Sequence, residues 1–94
     1  MAAHLVVQVV ITDTDRWRAY REAVVPLIAV FGGRHLAGGG SETLEGGDEA
    51  GRATVFEFPS MDAIHAFWAS PEYVPVKALR QGAATLSAWA VPGG

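Results

Sequence analysis

Residues 31–47 read FGGRHLAGGGSETLEGG, with seven glycines in seventeen positions, and two different folds follow from two readings of this stretch. A phosphate cradle would make the chain a nucleotide-binding α/β unit. A glycine-permitted bend would make it one hairpin of an antiparallel sheet. The dinucleotide pattern G-x-G-x-x-G has to follow a strand and open a helix. Gly38 and Gly40 supply its first half, but Thr43 stands where the third glycine belongs. A P-loop needs Gly-Lys-Ser/Thr, and the segment contains no lysine. No helical periodicity follows it either, so the stretch reads as a hairpin bend.

Upstream of the bend, Trp17, Tyr20, Val24, Leu27, Ile28 and Phe31 step by three and four, the spacing of an amphipathic helix laid on a sheet. Asp13 or Thr14 offers its N-cap, and Asp15 suits the positive end of the helix dipole. Pro26 deletes one backbone donor and is expected to kink the helix; Gly32 and Gly33 stop it. Before the helix, residues 5–12 (LVVQVVIT) are β-branched and mostly apolar, a strand covered on both faces. Leu5, Val7, Val9 and Ile11 share one face, and Val6, Gln8, Val10 and Thr12 share the other.

Within the bend, Arg34–Ala37 read as a strand, residues 38–51 as turn and loop, and Glu42–Glu45 as a short continuation of an edge strand. Downstream, Arg52–Phe58 (RATVFEF) form a third strand, with Val55 and Glu57 on one face and Thr54, Phe56 and Phe58 on the other. Pro59 ends it, and Ser60 caps a short helix that buries Ile64, Phe67 and Trp68. SPEY, residues 70–73, breaks that helix; the next runs through Arg80 until Gly82, with Pro75 restarting or kinking it. Ala84–Val91 close the chain as a fourth strand.

The order β-α-β-β-α-β is the split βαβ arrangement of a ferredoxin-like α+β fold, a four-stranded antiparallel sheet under one layer of helices. Ninety-four residues suffice for one such domain, spanning 1–94. A single helix layer leaves one sheet face bare, and that face carries apolar side chains whichever way the strands turn. Half of the residues are apolar, more than one small core hides, so two copies are expected to stack sheet to sheet as a homodimer. The formal net charge of −3 and scattered basic residues give no stripe for nucleic acid. The absence of cysteine fits a reducing, cytoplasmic setting. The apolar run Leu5–Ile11 is too short to cross a membrane, so no membrane partner is expected.

The segments GGRHLAGGG…LEGG and RATVFEFPSMDAIHAFWASPEYVPVKALRQGA resemble the domain-of-unknown-function 1330 (DUF1330) family of the dimeric α/β-barrel superfamily. EFPS and SPEY…K-LR are the most specific parts. The resemblance implies a ferredoxin-like protomer, a dimer with facing sheets and a cavity between sheet and helices. It implies no reaction, since the superfamily includes monooxygenases, cyclases, isomerases, haem-active enzymes and members without assigned activity. The family commonly has L-x-R-G-G where this chain has LAGGG, so Gly38 replaces an arginine. In a β2–β3 hairpin that position is expected near Glu57; if the family's arginine pairs that glutamate, this chain satisfies Glu57 differently, through Arg34 or a ligand cation.

Arg34 and Glu57 sit on strands expected to be covered, where a charge must be paired. They form either a structural ion pair or a catalytic set in which Arg34 anchors an enolate or carboxylate and Glu57 is the base. Tyr20, Trp68 and Tyr73 are either ordinary core residues or the wall of an apolar, substrate-binding pocket with phenol tips. Arg80 and Lys77 fall in the last helical turn, where positive charge stabilises the helix end; because the resemblance includes Arg80, it is also a candidate for the pocket mouth. The three histidines, His4, His35 and His65, are either ordinary rim or surface residues or candidates for proton transfer, and of them His35 is the best general base because it stands on a rigid strand. Arg34 and His35 are adjacent on that strand and point to opposite faces, so at most one serves a given cavity. The histidines have no metal-ligand spacing, no nucleophile elbow exists, and Ser60 and Ser70 read as caps. No cofactor and no metal are therefore expected. The leading expectation is a homodimer that binds a small, largely apolar organic molecule, with proton-transfer chemistry of isomerase, cyclase or lyase type. A non-catalytic binding or assembly module is the alternative, and cofactor-free or haem-linked oxidation the third.

Overall fold

The structure, a computed structural model, describes residues 2–46 and 51–93. The elements follow in the order β1 (Ala3–Ile11), α1 (Thr14–Val30), β2 (Arg34–Gly40), β3 (Arg52–Phe58), α2 (Met61–Trp68), α3 (Tyr73–Ala78) and β4 (Ala84–Pro92). The four strands form one antiparallel sheet in the order β2-β3-β1-β4. This is the ferredoxin-like α+β fold.

Local chemistry sets most boundaries. The Asp13 carboxylate accepts from the backbone N–H of Arg16 at 3.1 Å and opens α1. α1 runs unbroken past Pro26. It ends where Gly32 adopts φ +84°, a left-handed turn that the N–H groups of Gly32 and Gly33 close onto Ala29 and Ile28 carbonyls. The Ser60 hydroxyl caps α2 by accepting from Ala63 N–H at 3.0 Å. Ser70 Oγ donates to the Phe67 carbonyl and accepts from Tyr73 N–H, linking the end of α2 to the start of α3.

Three expectations are corrected. β2 extends to Gly40, because Gly38–Gly40 keep pairing with Thr54–Arg52. Glu42–Glu45 do not continue the strand; Ser41 instead binds the Gly51 carbonyl through both N–H and Oγ, closing the ladder there. Residues 47–50 of the turn and loop expected over 38–51 lie outside the described residues. α3 ends at Ala78 and the chain passes Arg80 in turns, since Leu79, Arg80 and Gln81 N–H groups reach back only three residues.

The core lies between the sheet and the helices. Phe58, Ile64, Phe67 and Tyr73 are its largest fully buried side chains, with Leu5, Tyr20, Val24 and Ile28 around them. The molecule measures 33 × 32 × 17 Å, and the short dimension holds one sheet and one helix layer only. The other sheet face is therefore open. Register lines up Ala37, Val55, Val6 and Trp89 across all four strands of that face. Val10, Trp89 and Val91 there are 43%, 51% and 44% exposed. No helix among the described residues is long and apolar enough to cross a membrane.

Candidate functional site

Three rows of the sheet's helix-facing side bear on the cavity, while a fourth, Phe58 and Ala3, is buried in the core. His35, Phe56, Leu5 and Ala90 make the first; Gly38, Thr54, Val7 and Ala88 the second; Gly40, Arg52, Val9 and Leu86 the third. The middle row is small throughout, so the floor dips under α1. Above it, Trp17, Tyr20, Arg21, Val24, Val25 and Ile28 of α1 form a roof, and Phe67, Trp68 and Tyr73 close one wall. The result is a cavity of about 340 Å³, enough for a small organic molecule.

Gly38 is needed for this shape. A Cβ there would stand 2.9 Å from His35 Nε2 and 3.0 Å from Thr54 Oγ1. Both polar atoms thus converge on the space that a side chain would fill. The His35 imidazole also packs edge-on against Phe56, ring centres 5.6 Å apart.

Inside the cavity wall, the hydroxyls of Tyr20 and Tyr73 are hydrogen-bonded at 2.9 Å, both residues being buried. One hydroxyl proton is used in that bond, which leaves the other for a ligand acceptor. Burial, then the neighbouring Tyr73 phenol, push the Tyr20 phenol well above the usual range; the Arg80 cation opposes the rise. The folded protein therefore holds this proton more tightly than the unfolded chain does. Stability is full below the ordinary phenol value of 10.0 and falls as pH rises above it, by up to about 1.4 kcal/mol per pH unit. Tyr20→Phe is expected to flatten this decline in melting temperatures scanned from about pH 8 to 11; an unchanged slope would remove Tyr20 as its source.

The sequence matches the family described as Domain of unknown function (DUF1330) over residues 2–94. The chain belongs to this family. No curated protein matches the DUF1330 chain. Among solved structures, a protein of unknown function from Rhodopseudomonas palustris is similar at TM-score 0.83 and 19% identity, covering 99% of this chain and 82% of the other. SnoaB, a cofactor-independent oxygenase from Streptomyces nogalater, is similar at TM-score 0.73 and 10% identity, covering 99% and 93%. A dimeric ferredoxin-like protein of unknown function from Thermobifida fusca gives 0.66 and 18%, covering 99% and 92%. At these identities the likeness is one of fold.

In the DUF1330 protein, six of the residues singled out from sequence fall into two groups on opposite sides of the sheet. Tyr20, Trp68, Tyr73 and His35 line the cavity together. Arg34 and Glu57 do not; they lie on the open face, where Arg34 Nη2 meets Glu57 Oε1 at 2.7 Å and Nε donates to it at 2.9 Å. His4 Nε2 stands 3.8 Å from the other carboxylate oxygen. The expectation that both charges are covered is also corrected, since β2 is an edge strand and the Arg34 side chain is 69% exposed.

The anticipated proximity of position 38 to Glu57 is corrected as well. A register shift between His35 and Ala37 sets Gly38 opposite Thr54, while Arg34 stands opposite Glu57 and satisfies it. Arg80 does not line the cavity. Its guanidinium carbon lies 5.7 Å from the Tyr20 ring centre, and its buried Nε has no hydrogen-bond partner among the described residues. The reason is the early end of α3, which leaves Arg80 in a turn. Lys77 lies over Trp68 at 5.5 Å. Among the described residues no three His, Asp or Glu side chains gather in a metal-holding group.

Sequence reading overlooked Arg21 and Arg52, which also line the cavity. The signals were present. Arg21 follows Trp17 by four and precedes Val24 by three, and Arg52 shares its strand parity with Thr54 and Phe56.

Proposed function

We propose that this DUF1330 protein is a homodimer whose protomers each bind a small, largely apolar organic molecule between α1 and the sheet, and that the bound molecule undergoes cofactor-independent proton transfer of isomerase, cyclase or lyase type. The observation that carries this reading is the 340 Å³ cavity, walled by Val, Leu, Phe and Trp, into which one imidazole and a hydrogen-bonded phenol pair are built. Imidazole is the side-chain type suited to moving protons near neutral pH, so His35 is the base. The spare phenol proton of the Tyr20–Tyr73 pair donates to the oxygen on which negative charge develops. Trp68 shapes the wall, and Arg80 acts on the pair electrostatically from outside the cavity. The apolar row on the open sheet face supports the homodimer, as does the dimeric state of the ferredoxin-like protein from Thermobifida fusca. In that dimer the Arg34–Glu57 pair belongs to the face between copies and holds the β2 edge in place.

The test uses 2-tetralone, a flat apolar ketone with exchangeable α-protons, in deuterated buffer. Amide resonances of the cavity residues are expected to shift on its addition, and the protein is expected to accelerate α-proton exchange. His35→Ala should lose about 10²-fold or more of that acceleration. Binding without acceleration would leave a non-catalytic binder and overturn the catalytic half; no shift at the cavity residues would overturn both halves. A second reading, cofactor-independent oxygenation, is favoured by the fold shared with SnoaB. It differs in consuming dioxygen, which an oxygen electrode reads in the same incubation.

A further inference from the structure

We infer that the molecule taken by this cavity is an anion, an apolar body of about two fused rings bearing a carboxylate, with the carboxylate held by Arg21 and Arg52. The inference rests on the cavity being a binding site, as proposed above, and adds the charge and layout of its occupant. The whole chain is acidic, with ten acids against seven basic residues. The cavity has the opposite sign. Arg21 and Arg52 line it, and no acidic side chain among the described residues joins them. Neither arginine forms an ion pair among the described residues, whereas Arg34 does. A cationic recess in an otherwise anionic molecule concentrates anions of its own size.

The two cations approach the same end of the cavity from its roof and its floor. Arg52 stands opposite Val9, two residues before β1 ends at Ile11, about 7 Å from that end. α1 starts three residues later and runs back over the sheet; Arg21, seven residues in, has travelled about 10 Å. Both arginines are exposed residues, so an arriving anion meets them first. A guanidinium fork matches the planar carboxylate, and two forks from facing walls hold one group from both sides.

The opposite end is set by register. His35 lies in the row of Leu5, four β1 residues from Val9, a span of about 13 Å. A carboxylate at the arginines therefore places the far edge of a two-ring body toward His35 and leaves the small middle row of Gly38, Thr54 and Val7 under its flat face.

Isothermal titration with 2-naphthoate and its neutral near-isostere 2-naphthamide tests this. The acid is expected to bind about tenfold tighter than the amide at low salt, with the preference falling as salt rises. Arg21→Gln with Arg52→Gln should abolish the preference by weakening the acid alone. Arg18→Gln, which removes an exposed charge of the same helix outside the cavity, should leave the preference intact. Amide bound as tightly as acid, or a preference surviving the double exchange, would overturn the anion assignment while the binding site stands. If neither probe binds, the binding site itself fails.

Discussion

Val6→Asp is expected to convert the proposed homodimer to a 9.9 kDa monomer at micromolar concentration. Val6 lies on the inner strand β1, between Val55 of β3 and Trp89 of β4, at the centre of the apolar row on the open sheet face. In a two-fold dimer that buries this face, equivalent residues of the two copies meet near the axis. An aspartate there brings two carboxylates into one dry interface, where desolvation and mutual repulsion add. A weakening of the dissociation constant by about 100-fold or more follows, equivalent to about 2.7 kcal/mol. The Val6 side chain points away from the helices, so the Tyr20–Tyr73 core contacts are not touched directly. Light scattering behind size exclusion, across a dilution series, reads the mass. Val6→Thr, of nearly the same shape, should remain largely dimeric and guards against a strand defect in the aspartate variant. A wild-type chain that runs as a monomer, or an aspartate variant that stays dimeric on dilution, would remove the sheet-to-sheet assembly.

What was legible in the sequence follows the range of each interaction. The caps at Asp13 and Ser60 were readable because each is a contact over three residues, which composition records directly. The faces of β3 were readable because alternation is strict within a strand: Phe56 and Phe58 turn to the helices, and Glu57 turns away. The rejection of a phosphate cradle was readable too, since Gly38–Gly40 form a strand and open no helix. Register across a long loop was not. Arg34 takes the place opposite Glu57, so Gly38 lies further down the ladder, and the shift between His35 and Ala37 sets it opposite Thr54 rather than Ala53; no single residue announces such a bulge. The site inherits that difficulty. His35, Tyr20, Trp68 and Tyr73 could be named as residue types suited to a pocket, but which face Arg34 shared with which neighbour depended on the register. Arg52 and Arg21 were overlooked for a different reason. A charge at a rim position reads as solvent-facing unless the hollow behind it is known, and the hollow arises from small side chains on three different strands.

The same aromatic cluster that closes the cavity carries much of the stability, and this gives the second large expectation. Phe67→Ala should cost about 3–5 kcal/mol of folding free energy, a large share of the 5–15 kcal/mol typical of a domain. Phe67 is fully buried and meets four rings: Phe31 at 5.9 Å, Phe58 at 5.8 Å, Trp68 at 6.3 Å and Tyr73 at 4.7 Å. Truncation removes its own buried area and the edge-to-face and tilted contacts together. The void left cannot collapse cheaply, because it opens into the existing cavity, which Phe67 itself lines. At roughly 4 °C or more per kcal/mol for a domain of this size, the melting temperature should fall by at least about 12 °C. Phe67→Leu keeps most of the volume and should lose much less, separating volume from ring geometry. Chemical denaturation of both variants at fixed protein concentration measures the difference. A Phe67→Ala loss below about 1.5 kcal/mol would mean that the helices close over the gap, and hence that the cavity wall is soft rather than held open by this cluster.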